Sequence, residues 1–217
     1  MMGRRVLVTG LGSFWGGRVA QALEQDSGVD VIIGLDTTEP TVQLDRTEFV
    51  RTDESYSILS RIVRATQVDT IVHTFLLVDS SSVSSSRMHE INVIGTMNLF
   101  AAASQPESRV GNVVLKSSTL VYGSTHADPV WFTETTRRTA LPRHRVERSL
   151  VEVEGYVRDY AADNPDVTVS MLRFSNVLGE DIVTPISRAL GLPAVPCVFG
   201  FDPRVQFVHE TDVVRAI

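Results

Sequence analysis

The chain has 217 residues, 43% of them hydrophobic and 21% charged, a globular balance that excludes a disordered or fibrous protein. A net charge of −6 argues against a nucleic-acid surface. No stretch approaches the roughly 18 apolar residues that a membrane span needs.

The only cysteine is Cys197, so no intrachain disulfide can form. The opening MMGRRVLVTG enters a strand pattern by Val6, which leaves no room for a secretory signal. A cytoplasmic location is the expectation from both. Val6–Val8 predicts the first strand. It feeds Gly10-Leu11-Gly12-Ser13-Phe14-Trp15-Gly16, a glycine turn that opens a helix over Gly16–Gln25. Val31–Leu35 predicts a second strand, Glu48–Arg51 a weaker third, and Ser57–Thr66 a helix with Ile58, Leu59, Ile62 and Val63 along one stripe. Thr70–Leu77 predicts the fourth strand. Ser80–Ser86 holds six serines in seven residues and reads as a surface connection. It follows a strand at the edge where α/β ligands bind, so a lid role stays open. His89–Ala103 predicts a helix and Asn112–Ser117 a strand. Pro142 suits the first turn of a helix reaching Ala162, which Asn164-Pro165 ends. Val167–Phe174 predicts the sixth strand.

Most of these apolar runs are continuous, as in strands covered on both faces. Their alternation with helices predicts an α/β fold: a Rossmann-like doubly wound parallel sheet, order 3-2-1-4-5-6, with a seventh strand open and right-handed crossovers. A ligand would lie at the switch point between the first and fourth strands.

The glycine turn stands between a strand and a helix, the context that gives such a pattern meaning. Gly10 permits the tight turn, Gly12 and Ser13 let backbone amides approach a pyrophosphate, and Gly16 lets the helix pack on the strand. The helix N-terminus adds free N–H groups and partial positive charge. The second strand ends at Asp36, 26 residues after Gly10. A carboxylate there accepts hydrogen bonds from adenosine ribose hydroxyls and repels a 2′-phosphate. NAD is therefore favoured over NADP. The alternative is a plain βαβ turn with Asp36 on the surface. Asp53 follows the third strand and suits either an adenine amino group or the cap of the next helix.

Several further segments carry a family resemblance. Asn92-Val93-Ile94-Gly95-Thr96-Met97-Asn98-Leu99, Ser117-Ser118-Thr119-Leu120-Val121-Tyr122-Gly123, Phe132-Thr133-Glu134, Leu172-Arg173-Phe174-Ser175-Asn176-Val177-Leu178-Gly179 and Phe207-Val208-His209-Glu210-Thr211-Asp212-Val213 follow the glycine turn in order. Together they resemble the extended short-chain dehydrogenase/reductase family, and within it the UDP-glucose 4-epimerase-like branch of the NAD-dependent epimerase/dehydratases. The resemblance implies that Gly10, Gly12, Ser13, Phe14, Trp15 and Gly16 hold the pyrophosphate, Asp36 the ribose and Asp53 the adenine edge. Thr74, Phe75 and Leu76 would lie under the cofactor, with Ser117 and Ser118 near the nicotinamide. Phe174 and Ser175 would border it, and Asn176 would face a sugar nucleotide. It also implies residues 1–175 as the NAD-binding domain and 176–217 as the beginning of a small C-terminal substrate lobe. A homodimer through the helix over Pro142–Ala162 is implied too. Extended members continue past the last motif, so the resemblance implies a chain cut short at Asp212–Ile217.

The family's chemistry uses a Tyr and a Lys four residues apart on one helix, with a serine completing the site. Ser118 is the serine candidate. Val146 stands where the Tyr is expected and Leu150 where the Lys is expected. The only lysine is Lys116, and no Tyr-x-x-x-Lys occurs anywhere in the chain. Tyr156 is ten residues from Val146, roughly 15 Å along a helix. His144 and Arg148 are a substitute pair at the same spacing, an imidazole to carry a proton and a guanidinium to supply charge. Their alternative is a solvated basic stretch. The readings left open are an epimerase-like enzyme of low or altered activity, a non-catalytic NAD- or nucleotide-sugar-sensing subunit, and an enzyme using His144 with Arg148. His73, His89, His126 and His209 show no metal-ligand spacing, and His73 suits a structural role. Ser13 replaces a family glycine, which the turn tolerates if its φ is negative.

Overall fold

The computed structural model describes residues 3–53, 55–78, 83–123, 125, 128–129, 131–195, 200 and 204–217. Residues 80–82 of the serine run, His126 and Cys197 lie outside them. Strands β1 (Arg4–Thr9), β2 (Val29–Asp36), β3 (Thr47–Arg51), β4 (Thr70–His73), β5 (Asn112–Ser118) and β6 (Thr168–Phe174) form one parallel sheet in the order β3-β2-β1-β4-β5-β6. The order reverses between β1 and β4, which places the switch point at the end of β1.

The two sheet faces carry separate cores. Leu7, Ile33, Ile71 and Leu115 face α2 (Tyr56–Thr66), α4 (Gly95–Ala103) and α5 (Arg145–Asp163), whose Leu59, Leu99 and Leu150 complete that layer. Val6, Val8 and Ile32 face α1 (Phe14–Glu24) through Val19 and Ala20. Period-two alternation within each strand supplies both layers.

Several boundaries differ from expectation. The fourth strand stops at His73, so 74–77 form an irregular segment at the ligand edge although they are apolar. The helix expected over His89–Ala103 comes as α3 (Ser85–His89), a π-helical turn (Glu90–Ile94) and α4. The π turn lets Asn92 reach sideways. Its Oδ1 accepts from Leu77 N at 2.8 Å, and its Nδ2 donates to Leu77 O at 2.9 Å and to Ser149 Oγ at 3.1 Å. A wider turn at such a junction is a recognised functional device. Helix α5 begins at Arg145 rather than Pro142, because His144 takes the cap with extended backbone (φ −92°, ψ 150°). No seventh strand joins the main sheet among the described residues. Instead β7 (Asn176–Leu178) pairs in parallel with β8 (Phe207–His209), flanked by α6 (Pro185–Leu190) and α7 (Glu210–Ala216).

One buried group marks a removable cost. The Tyr160 hydroxyl on α5 is buried with no hydrogen-bond partner among the described residues, and desolvation pushes its pKa up. Its ring packs on Phe100 at 4.6 Å between centroids. Tyr160→Phe keeps that packing and removes the orphaned oxygen. A gain of about 1 kcal/mol in unfolding free energy is expected by urea denaturation, and a loss of that size would mean that the hydroxyl is satisfied.

Candidate dinucleotide site

Gly10 has φ 74°, and a Cβ there would lie 2.6 Å from Phe75 Cβ and 2.7 Å from Phe75 Cα. Both the conformation and the neighbouring segment require glycine. Ser13 sits at φ −77°, so a side chain is accommodated where the family has glycine. Its hydroxyl stitches the turn together: Oγ donates to Gly10 O at 2.6 Å and accepts from Gly16 N at 3.1 Å. The amides of Phe14 and Trp15, the first two residues of α1, have no acceptor among the described residues. These free donors and the positive helix end make an anion seat.

A cavity of about 560 Å³ opens beside the turn. Gly12, Ser13, Asp36, Asp53 and Phe75 line it, five of the expected cofactor residues drawn from the ends of four strands and the loops after them. The Asp36 carboxylate accepts from Gly12 N at 3.0 Å through Oδ2. Its Oδ1 accepts from Thr38 N at 3.0 Å, Thr38 Oγ1 at 3.1 Å and Thr37 Oγ1 at 3.3 Å. It is thus fixed as an acceptor on the cavity wall. The cap of α2 is Ser55 rather than Asp53. Asp53 lines the cavity, and its Oδ1 accepts from Ser55 N at 3.2 Å at the start of α2. Arg51 is paired in register with Asp36, and no sequence signal pointed to it. Glu39 holds it at 2.9 Å.

Thr74 and Leu76 are buried and do not line the cavity. Thr74 Oγ1 donates to Thr9 O at 2.7 Å, which anchors the irregular segment after β4 to β1. His73 completes this anchor and has the structural role expected of it. Thr96 Oγ1 gives its one proton to Asn92 O at 2.5 Å, so it accepts from His73 Nε2 at 2.9 Å. Nδ1 then accepts from Thr9 Oγ1 at 2.8 Å. The ring is neutral, with Nε2 protonated, and burial pushes its pKa down to about 3 from 6.5. Protonation is thus disfavoured in the folded state, and below pH 6.5 the unfolded chain binds a proton that the folded chain refuses. Stability from this site is full above pH 6.5 and falls by about 1.4 kcal/mol per pH unit as pH drops toward 3. Urea denaturation from pH 6.5 to 5 checks this against His73→Gln, which should show a shallower decline; equal slopes would contradict it.

At the other end of the site a buried charge network holds α5 to the sheet. Glu154 accepts from Arg173 Nε at 2.9 Å, Arg173 Nη2 at 2.7 Å and Ser117 Oγ at 2.7 Å. Arg173 Nη1 donates to Tyr122 Oη at 2.8 Å, and the guanidinium lies over the Tyr122 ring. Glu154 thereby holds the Arg173 pKa above its usual range. The proton of the Ser117 hydroxyl is committed to this network. Ser118 Oγ accepts from Leu120 N at 3.3 Å in the 3-10 turn Thr119–Tyr122. Phe174, the last residue of β6, and Ser175 after it are half-buried, and Asn176 is exposed, its Nδ2 donating to Gln206 O at 3.3 Å.

Two positions on the buried side of α5 are hydrocarbon. Val146 is 8% exposed and Leu150 is fully buried. His144 lies outside the helix as its cap, and its carbonyl oxygen accepts from Arg148 N at 3.0 Å. The Arg148 side chain opens onto a separate groove with Ser85, His89, Arg145 and Glu152. Among the described residues no group of three His, Cys, Asp or Glu could hold a metal ion.

The model of the NAD dependent epimerase/dehydratase family matches residues 6–217. The chain belongs to this family. The uncharacterized protein Rv0501 of Mycobacterium tuberculosis is 37% identical over 98% of this chain and 57% of its own length. UDP-glucose 4-epimerase 3 of Oryza sativa is 28% identical over 82% of this chain and 50% of its own. The chain thus spans about half the length of the curated relatives it matches. The solved structure of MoeE5 in complex with UDP-glucose and NAD superposes with a TM-score of 0.74, at 25% identity over 98% of this chain and 70% of that one. Sequence reasoning missed Glu154 as the partner of Arg173, and it left Lys116 without a role.

Proposed function

We propose that this chain is an NAD-binding, sugar-nucleotide epimerase/dehydratase-like protein that lacks the family's Tyr/Lys proton-transfer pair. The observation that carries the binding half is the pairing of free amides at the α1 N-terminus with Asp36 on the wall of a cavity of about 560 Å³. The free amides fit a diphosphate, and Asp36 fits ribose hydroxyls. The Asp36 carboxylate on the cavity wall disfavours the 2′-phosphate of NADP. NAD supplies a hydride acceptor when bound, but Val146 and Leu150 offer neither a phenol nor an ammonium at those two positions of α5 to move the sugar's proton. Ser118 remains as a hydroxyl in that part of the site, and Asn176 as the residue facing a sugar nucleotide.

The same hydrocarbon favours a second reading, a non-catalytic subunit that senses NAD or a nucleotide sugar. Residues 1–175 act as the dinucleotide domain, and 176–217 begin the substrate lobe. The separate β7–β8 sheet supports that division. The proposal includes a homodimer through α5 and a cytoplasmic location, the latter supported by the single cysteine. No described helix is long and apolar enough to cross a membrane.

Calorimetric titration with NAD and NADP, followed by an NMR assay for UDP-glucose and UDP-galactose interconversion, tests the reading. NAD binding tighter than NADP with no interconversion is expected. Robust interconversion would overturn the missing-pair argument, and absence of NAD binding would overturn the cofactor assignment.

A further inference from the structure

Lys116 is the only lysine in the chain, and neither the fold nor the proposed function uses it. It lies on β5 directly before Ser117 and Ser118. Successive strand residues face opposite sides of a sheet. Ser117 turns to Glu154 of α5, so Lys116 enters the other layer, where α1 packs. There its Nζ lies 5.0 Å from the centroid of the Trp15 ring. Lys116 is 5% exposed, and among the described residues its ammonium has no carboxylate and no hydrogen-bond acceptor. Burial pushes its pKa down to about 8, which leaves it mostly charged at neutral pH. A cation that keeps only slight contact with water, with an aromatic face for company, is under-compensated.

Trp15 links this cation to the anion seat. The backbone N–H of Trp15 is one of the two free donors in the first turn of α1, and its indole is the surface on which Lys116 rests. Two features of the same sign, an unpaired buried ammonium and a positive helix end, meet at one residue. We propose that Lys116 is an anion-binding residue of this site, its ammonium receiving a diphosphate oxygen of the bound nucleotide. Trp15 holds the cation in waiting at the start of α1. The diphosphate has two sources, a dinucleotide or a sugar nucleotide. The inference rests on the nucleotide-binding reading but not on NAD in particular.

Lys116→Met tests it, since Met keeps an unbranched chain against the indole and removes the charge. The full chain and the variant are titrated with NAD, ADP, UDP-glucose and adenosine, with thermal denaturation alongside. The expected result is a Tm equal to or above that of the parent, because an unpaired buried charge has gone. Kd for the diphosphates should rise about ten- to hundredfold, as for loss of a charged hydrogen bond, while adenosine binding is unchanged. A rise confined to UDP-glucose assigns the anion to the sugar nucleotide, and the inference stands even if NAD fails to bind. Unchanged Kd for every diphosphate in a folded variant overturns it, and so does a parent chain that binds no diphosphate.

Reductive methylation of the parent keeps the idea testable should the variant unfold. Lys116 carries the only ε-amine, so peptide mass spectrometry separates its rate from that of the N-terminal amine. Saturating diphosphate should slow that rate about tenfold, the ammonium being engaged. Equal rates with and without diphosphate contradict the inference.

Discussion

Replacing Gly16 with alanine is expected to abolish nucleotide binding and to cost about 3 kcal/mol of stability, the upper end for overpacking. A Cβ at Gly16 would overlap the carbonyl oxygen of Gly10, and it would lie 2.5 Å from Gly10 C and 2.8 Å from Leu11 Cα. All three are backbone atoms, so no rotamer change relieves the clash. Relief requires α1 to move away from β1. That movement breaks the Ser13 bridge between Gly10 O and Gly16 N, and it displaces the free amides of Phe14 and Trp15. Urea denaturation and an NAD titration on the same preparation read both losses. A variant of parental stability that still binds nucleotide would mean that the turn is not as tightly closed as described.

Glu154→Ala should cost about 3–5 kcal/mol, the range for breaking a buried pair on one side. Glu154 is 1% exposed and accepts from Arg173 and Ser117. Its removal leaves Arg173, mostly buried, with Tyr122 as its remaining side-chain partner. It also frees the tie that holds α5 against β5 and β6. The double variant Glu154→Leu with Arg173→Met should recover most of the loss, because both charges then go together. Thermal denaturation of the single and double variants checks this. A double variant as unstable as the single one would place the cost in packing rather than in the unpaired cation.

The topology was legible because strand and helix periods differ and glycine marks the turn between them. The end of β4 was not. Thr74, Phe75, Leu76 and Leu77 continue an apolar run, and a continuous run carries no mark of where ladder pairing stops. The two central residues of that segment pack inward beside the turn, so their hydrophobicity reflects burial and not strand. The start of α5 was misread because Pro142 is acceptable in a first helical turn. The actual cap, His144, makes no side-chain capping bond and so left no capping signature. Strands of three residues, such as β7 and β8, are too short to show a period at all.

The turn and the acid on the cavity wall were legible in Gly10, Gly12, Ser13 and Asp36, whose placement follows from local backbone geometry. The buried charges were not. Glu154 and Arg173 are 19 residues apart and meet only when β6 returns beside β5. Lys116 reads as an ordinary strand residue until the fold places it against Trp15. Nothing local distinguishes a buried charge from a solvated one.

A crystal structure of the protein grown with NAD tests the central claim most directly. The account predicts the diphosphate on the Phe14 and Trp15 amides, a ribose on Asp36, and only the hydrocarbon of Val146 and Leu150 on the α5 side of the nicotinamide ribose. An adenosine bound away from Asp36, or a titratable side chain reaching that ribose from α5, would contradict it.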